Sequence, residues 1–398
     1  MVPNIRKQFN QLFSTEKYTA YLKELHSKHL GAIEFRIAET PVFIDATFTK
    51  KVLNACEAIV DVITSPDFNT LSEKAIPANV NVPGDNKHTH FIAFDFGICE
   101  NEQGELEPQL IEMQGFPTLF AYQIWHEAIT RKHFAIPNNF SSYFNGLDAN
   151  SYTKLLKEII VGNNAPEEVI LLEILPHQQK TKIDFYCTTD YIGIPVVCLT
   201  ELIQEGNDLF YEKAGKKIKI RRIYNRIIFD DLQQQEHSIQ EKGKLLLQPL
   251  NVEWITHPNW FYRISKFTLP FINHPYVPKT VFLNTVETIP TDLENYVLKP
   301  LFSFAGQGVV IDVTKADIEN VKDPENWILQ KKVNYAAVIE TPDEPAKAEI
   351  RIFYFWKEGE PRPIATNNLA RLSKGKMIGV RYNKDKEWVG GSLAYFEQ

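Results

Sequence analysis

The chain has 398 residues, 44% hydrophobic and 23% charged, with 18 Gly and 23 Pro and no low-complexity run or fixed-period repeat. That composition excludes a disordered chain or a solenoid, and the length calls for two or three lobes rather than one core. A formal charge of −7 argues against broad capture of nucleic acid or an anionic membrane, and no apolar run approaches a bilayer-spanning length.

Residues from about 5 to 80 read mainly as helices. LFSTEKYTAYLKELHSKHL and KKVLNACEAIVDVIT both carry apolar positions at helical spacing. The period then changes: HFIAFDFGI (90–98) and QLIEMQ (109–114) alternate as strands around the turn-forming NEQGELEP. This predicts a β-hairpin presenting Asp95, Glu112 and Gln114. Both carboxylates lie inside apolar runs, where an unpaired charge is costly, so they call for a metal ion or a buried arginine.

From 168 to 230 the order is strand (EVILLEIL), helix (KIDFYCTTDYIG), strand (IPVVCL) and hairpin, the signature of a parallel α/β sheet. Its last strand ends at Asn225, Arg226 and Asp230, where open α/β sheets place ligands. The basic run KKIKIRR (216–222) alternates with isoleucines and reads as a strand with one solvated face. After Pro249, short strands and helices separated by Pro, Gly and charged turns indicate an α+β module. The division expected is therefore 1–165, a helical region with the hairpin; 166–248, a small α/β lobe; and 249–398, the α+β module.

Within that module, YVLKPLFSFAGQGVVIDV (296–313) delivers Lys299 at a strand end. A loop containing Gly306, Gln307 and Gly308 then leads to a second strand from Val309. Glycines let a backbone approach an anion, and a strand-end lysine adds a point charge for phosphate. A plain hairpin with a solvated lysine is the alternative. Lys266, in RISKFTLPFI, could bring a second cation to the same phosphates, and WILQKKV (327–333) is a short strand whose backbone at Gln330, Lys331 and Val333 could face an adenine edge. In AEIRIFYFW, Glu349 and Arg351 share one strand face while Ile350, Ile352 and Tyr354 face a core. Glu349 could hold ribose hydroxyls or a metal; for Glu349 and Arg351 alike the alternative is a cross-strand ion pair. Arg371 could grip an acyl or phosphate oxygen bidentately, with Gly390 and Gly391 following.

Across roughly residues 90 to 398, this motif order resembles the permuted glutathione synthetase and glutathionylspermidine synthase branch of the ATP-grasp superfamily. ISK resembles the segment with the first ATP lysine, and VLKPLFSFAGQGV the lysine and glycine-rich loop. ILQKKV resembles the adenine hinge, and AEIRIFYFW the strand with an ATP-contacting glutamate. LARLSKGK and WVGGSLAYF resemble the segment over substrate and phosphates. The resemblance implies a multi-lobed α/β and α+β fold with a small parallel-sheet lobe. It also implies an ATP-dependent carboxylate–amine ligase acting through an acyl phosphate. ATP would be held by Lys266, Lys299, Gly306, Gln307, Gly308, Gln330, Lys331, Val333 and Glu349. Mg2+ would be held by Asp95, Glu112 and Gln114, with Arg371 and Arg226 orienting the carboxylate.

The chain departs from the family pattern at Ala93, where an arginine is usual, at Gln114, where an asparagine is usual, and at Ser303 to Ala305, where a metal-binding glutamate is usual. These departures keep a second class open, a nucleotide-binding or regulatory protein that retains the scaffold without turnover. Small-molecule carboxylate and amine partners are expected, with no nucleic acid or membrane; a homodimer is left open. The scattered Cys56, Cys99, Cys187 and Cys198 read as buried reduced thiols in a cytoplasmic protein, and His88, His90 and His126 as structural histidines.

Overall fold

The computed structural model describes residues 1–302, 308–375, 378 and 383–398. The chain is mixed α/β with several sheets, one of them parallel. Its organising element is a five-stranded antiparallel sheet, in the order Gly390–Ser392, Ile364–Ser373, Lys347–Phe355, Phe91–Glu100, Leu106–Gln114.

One face of this sheet is apolar along its length. Ile92, Phe94, Phe96, Ile350, Ile352 and Tyr354 pack against Val52, Ala55 and Ile59 of the helix Ala46–Ile63, whose first turn is capped by Asp45 accepting from the Phe48 amide. The other face changes character along the strands. Phe91, Ala93, Phe353, Phe355 and Leu369 pack on Phe120, Ala121 and Ile124 of the helix Phe120–His133. Beyond them the same face carries Asp95, Gly97, Glu349, Arg351 and Arg371. Period-two alternation thus produces a buried sheet with a charged end.

The parallel sheet has the order Glu253–Ile255, Arg222–Asn225, Val169–Glu173, Val196–Cys198. Its crossover helix Lys182–Ile192 stops at Gly193, which takes the left-handed conformation suited to a glycine cap. KKIKI is the last strand of a three-stranded meander with Lys216 and Lys217 exposed and Ile220 buried, the one-sided strand that the alternation predicts.

A third, small sheet holds Thr280–Phe282, Trp327–Lys331 and Tyr296–Pro300, with Trp327–Lys331 in the centre. Leu298 and Leu329 close a separate small core with Leu283 and Val313, while Ile328 belongs to the main core on the opposite side.

Two expectations need correction. The division by chain order does not follow the sheets. The hairpin at 91–114 joins strands 347–392, and Glu253–Ile255 adds to the parallel sheet of the preceding segment. Antiparallel pairing between distant segments leaves no signature in local periodicity. The expected strand from Val309 is only a bridge, Val310 pairing with Leu298 through two backbone hydrogen bonds, because Thr314 soon caps the helix Lys315–Glu319.

All four cysteines are free and buried. His126 is buried and its pKa falls to about 3 through desolvation; His88 stacks on Trp356 with ring centroids 4.2 Å apart. Among the described residues no helix is long and apolar enough to cross a membrane.

Candidate functional site

Three segments meet at the charged end of the large sheet. The hairpin contributes Asp95 and Glu112, directly opposite each other, with Gln114 opposite Ala93. The small sheet contributes Lys299 on the face away from its own core. Its Nζ donates to Gln330 Oε1 at 2.6 Å and to the Ile111 carbonyl at 3.3 Å, tying the small sheet to the hairpin edge. The segment after the parallel sheet contributes Lys266, first residue of the 3-10 helix Lys266–Phe271.

The two lysines feel one another and the same carboxylate. Burial lowers the Lys299 pKa to about 8; Glu112 and Glu349 oppose the shift and Lys266 adds to it. Burial also lowers the Lys266 pKa, against Glu112 and Asp230. Asp230, just beyond the last residue of the Arg222–Asn225 strand and its following turn, accepts a long hydrogen bond from the Tyr262 hydroxyl at 3.4 Å. Lys266 and Lys299, separated by 33 residues in sequence, thus share Glu112 as a neighbouring charge.

Gly115 fixes this convergence. Its amide donates to the Ile264 carbonyl at 2.8 Å, two residues before Lys266. A Cβ on Gly115 would lie 2.5 Å from the Trp260 carbonyl oxygen and 2.8 Å from Ile264 Cβ. Gly115→Ala is expected to cost about 1–3 kcal/mol in urea unfolding, because backbone rather than a flexible side chain must give way. A loss within experimental error would contradict this packing.

The acidic residues are committed elsewhere. Asp95 is fully buried and both its oxygens receive guanidinium hydrogen bonds: Arg351 Nε and Nη2 donate to Oδ1 and Oδ2, each at 2.6 Å, and Arg371 Nη2 donates to Oδ2 at 3.0 Å. Arg371 also pairs with Glu349, its direct cross-strand neighbour, whose other oxygen accepts from the Tyr335 hydroxyl at 2.9 Å. Arg351 reaches Glu112 at 3.6 Å. Both positions are thus in cross-strand ion pairs, Glu349 with Arg371 and Arg351 with Asp95.

This corrects the expected metal set. A divalent ion at Asp95 would stand beside two fixed guanidinium charges with no free oxygen to take, so Asp95, Glu112 and Gln114 do not fit Mg2+ as a trio. Among the described residues no group of three or more His, Cys, Asp or Glu side chains could hold a metal. Gln114 donates to Glu112 Oε1 at 2.8 Å, leaving that carboxylate beside the lysines. Glu349 likewise has both oxygens engaged.

Arg226 stands apart. Its Nη1 donates to the Pro117 carbonyl at 2.7 Å and its guanidinium lies 4.8 Å from the Phe116 ring, so it braces the turn after the hairpin and is not joined to the Arg371 network. Gln330 is buried and acts through its side chain, holding Lys299 and donating to Thr280 Oγ1 at 3.0 Å. The Lys331 amide donates to the Lys279 carbonyl, and the chain beyond Val333 crosses to the large sheet, where the Asn334 carbonyl accepts from Glu100 and Ala336 donates to Ile98. Gly308 has φ +75°, a backbone that favours glycine, while Gly306, Gln307 and Ser303 to Ala305 lie outside the described residues.

Sequence reasoning missed Tyr335. Its ring lies over Gly97, where a Cβ would come within 2.7 Å of it. Only the missing side chain at Gly97, inside an otherwise bulky strand, hinted at an incoming ring.

No family model matches this sequence, and no curated protein matches it by sequence. Among solved structures the chain is similar to a glutathione synthetase-like effector from Globodera pallida in its apo form, at 10% identity and a TM-score of 0.61, covering 100% of this chain and 99% of that one. The fold is thus glutathione synthetase-like, as the motif order implied.

Proposed function

We propose that the junction of Lys266, Lys299 and Glu112 binds the triphosphate of ATP, and that the protein is an ATP-dependent carboxylate–amine ligase of the ATP-grasp type. The observation that carries this reading is that the segments of two lysines are both hydrogen-bonded to the end of one hairpin strand, Lys299 at Ile111 and the Lys266 segment at Gly115, with burial lowering the pKa of each beside Glu112. A triphosphate placed between two lysines would receive charge-assisted contacts from both.

In the proposed reaction a substrate carboxylate oxygen attacks the γ-phosphorus, the bond to the β-phosphate oxygen breaks, and ADP leaves with the electron pair. An amine then attacks the acyl carbon, inorganic phosphate leaves, and the amine proton passes to solvent. Lys266 and Lys299 would neutralise charge on the transferring phosphoryl group, and Arg371 would orient the carboxylate. ADP release measured with ATP, Mg2+ and a panel of carboxylic acids and amines tests this. ADP appearing only with both co-substrates supports it.

A second reading, a nucleotide-binding protein without turnover, is favoured by the engagement of Asp95 and Glu349 with arginines and Tyr335. Nucleotide binding without ADP release under any mixture would select it.

The reading carries a pH dependence. Phosphate favours the charged lysine, and free Lys299 loses its proton near pH 8. ATP affinity is therefore expected to be flat below about pH 7.5 and to fall up to about tenfold per unit above 8, with proton uptake on binding. Calorimetry in buffers of different ionisation enthalpy reads that uptake directly; an affinity unchanged to pH 9.5 would exclude Lys299 from the phosphate site.

A further inference from the structure

Next to the arginine network lies a cavity of about 210 Å3, lined by Phe35, Leu119, Tyr122, Leu369, Leu372 and Val389, with Arg371 and Arg351 in its wall. The apolar walls come from three sources. The strand Ile364–Ser373 brings Leu369, the helix Phe120–His133 brings Tyr122, and Phe35 stands edge-on to the Tyr122 ring with centroids 5.8 Å apart. A space of about 210 Å3 suits a small organic molecule rather than a peptide.

The charge in this wall is one-sided. Arg351 faces Asp95 with its Nε and Nη2, and Arg371 makes both of its ion pairs through Nη2 alone. Among the described residues Arg371 Nε and Nη1 carry no hydrogen bond, and its side chain is 38% exposed. An anion could therefore dock on Arg371 without breaking the pairs to Asp95 and Glu349. Among the described lining residues there is no carboxylate, while Arg36, Arg351 and Arg371 all line the space, so a ligand ammonium group would meet positive charge with only neutral acceptors such as Gln123 and Asn383.

We infer that this cavity takes a small carboxylic acid with an apolar body, its carboxylate on Arg371 and its hydrocarbon or aromatic part against Phe35, Tyr122, Leu119 and Leu369, and that it selects against zwitterionic amino acids. The identification of this acid as the group that ATP activates rests on the ligase reading; its binding does not. A carboxylate entering an apolar space needs a charged partner, which Arg371 supplies, whereas an α-ammonium would lose water beside guanidinium groups with no carboxylate to pair its charge.

The test uses the full chain and three probes that share one body: 3-phenylpropionate, 3-phenylpropanol and phenylalanine. Calorimetry without nucleotide should show 3-phenylpropionate binding at least tenfold more tightly than either of the others. Phe35→Glu, which sets a negative charge at the mouth, should weaken it at least tenfold while leaving the ATP-dependent rise in Tm in place. Equal binding of the alcohol, preference for phenylalanine, no binding of any probe, or indifference to Phe35→Glu would overturn the inference. Acid binding without ADP release under any mixture would retain the cavity assignment and reject the ligase. ADP release driven by amino acids but not by 3-phenylpropionate would do the reverse.

Discussion

Asp95→Ala is expected to cost the protein about 3–5 kcal/mol of stability, the largest effect of any single truncation at the site. Asp95 is fully buried and holds two arginines from two neighbouring strands, so its removal leaves buried positive charge facing positive charge. Glu349 and Glu112 compensate Arg371 and Arg351 only in part, the first by a pair to Arg371 and the second across 3.6 Å. Urea unfolding followed by circular dichroism gives the loss. The double variant Asp95→Ala/Arg351→Met should recover part of it, since no bidentate partner then remains unpaired. A loss below about 1 kcal/mol, or a double variant no better than the single, would show that the network is solvated and contributes little.

Lys299→Met is expected to remove most of the rise in Tm that ATP with Mg2+ gives the parent chain. One charge-assisted contact to a phosphate is worth about 1.5–3 kcal/mol, so affinity should fall by roughly 10- to 100-fold. At an ATP concentration tenfold above the parent Kd, most of the linkage stabilisation then disappears. The variant should fold. Met matches the length of the lysine stem, and the replacement removes a charge whose desolvation already lowers its pKa to about 8. Gln330 Oε1 loses its donor, which costs about 1–3 kcal/mol and lowers the Tm without nucleotide. The informative quantity is therefore the difference between Tm values with and without ATP. An undiminished difference would remove Lys299 from the binding site.

Much of the architecture was legible because burial imposes periodicity. The hairpin, the parallel lobe and the strand Lys347–Phe355 all follow from alternation and apolar runs, and the opposition of Asp95 and Glu112 follows from hairpin register. That Lys266 and Lys299 could serve one phosphate site was suggested by their segments and again by the resemblance, although no local pattern places them together. What could not be read was pairing between distant strands. Arg351 lies opposite Asp95 across 256 positions of sequence, and that distance hides why Asp95 is a guanidinium partner rather than a metal ligand. Tyr335 over Gly97 was hidden for the same reason, and Arg226 looked like a ligand group because its strand-end position says nothing of Pro117 and Phe116 beside it.

If Lys266 and Lys299 hold one ligand between them, a calorimetric double-mutant cycle will couple their effects. ATP with Mg2+ is titrated into the parent, Lys266→Met, Lys299→Met and the double variant at pH 7. The expected result is one ATP per parent chain, at least tenfold weaker binding to each single variant, and a loss in the double variant that differs from the sum of the two by more than about 0.5 kcal/mol, because the lysines repel each other and share a phosphate. Full-strength binding by the double variant, or no binding by the parent, would contradict it.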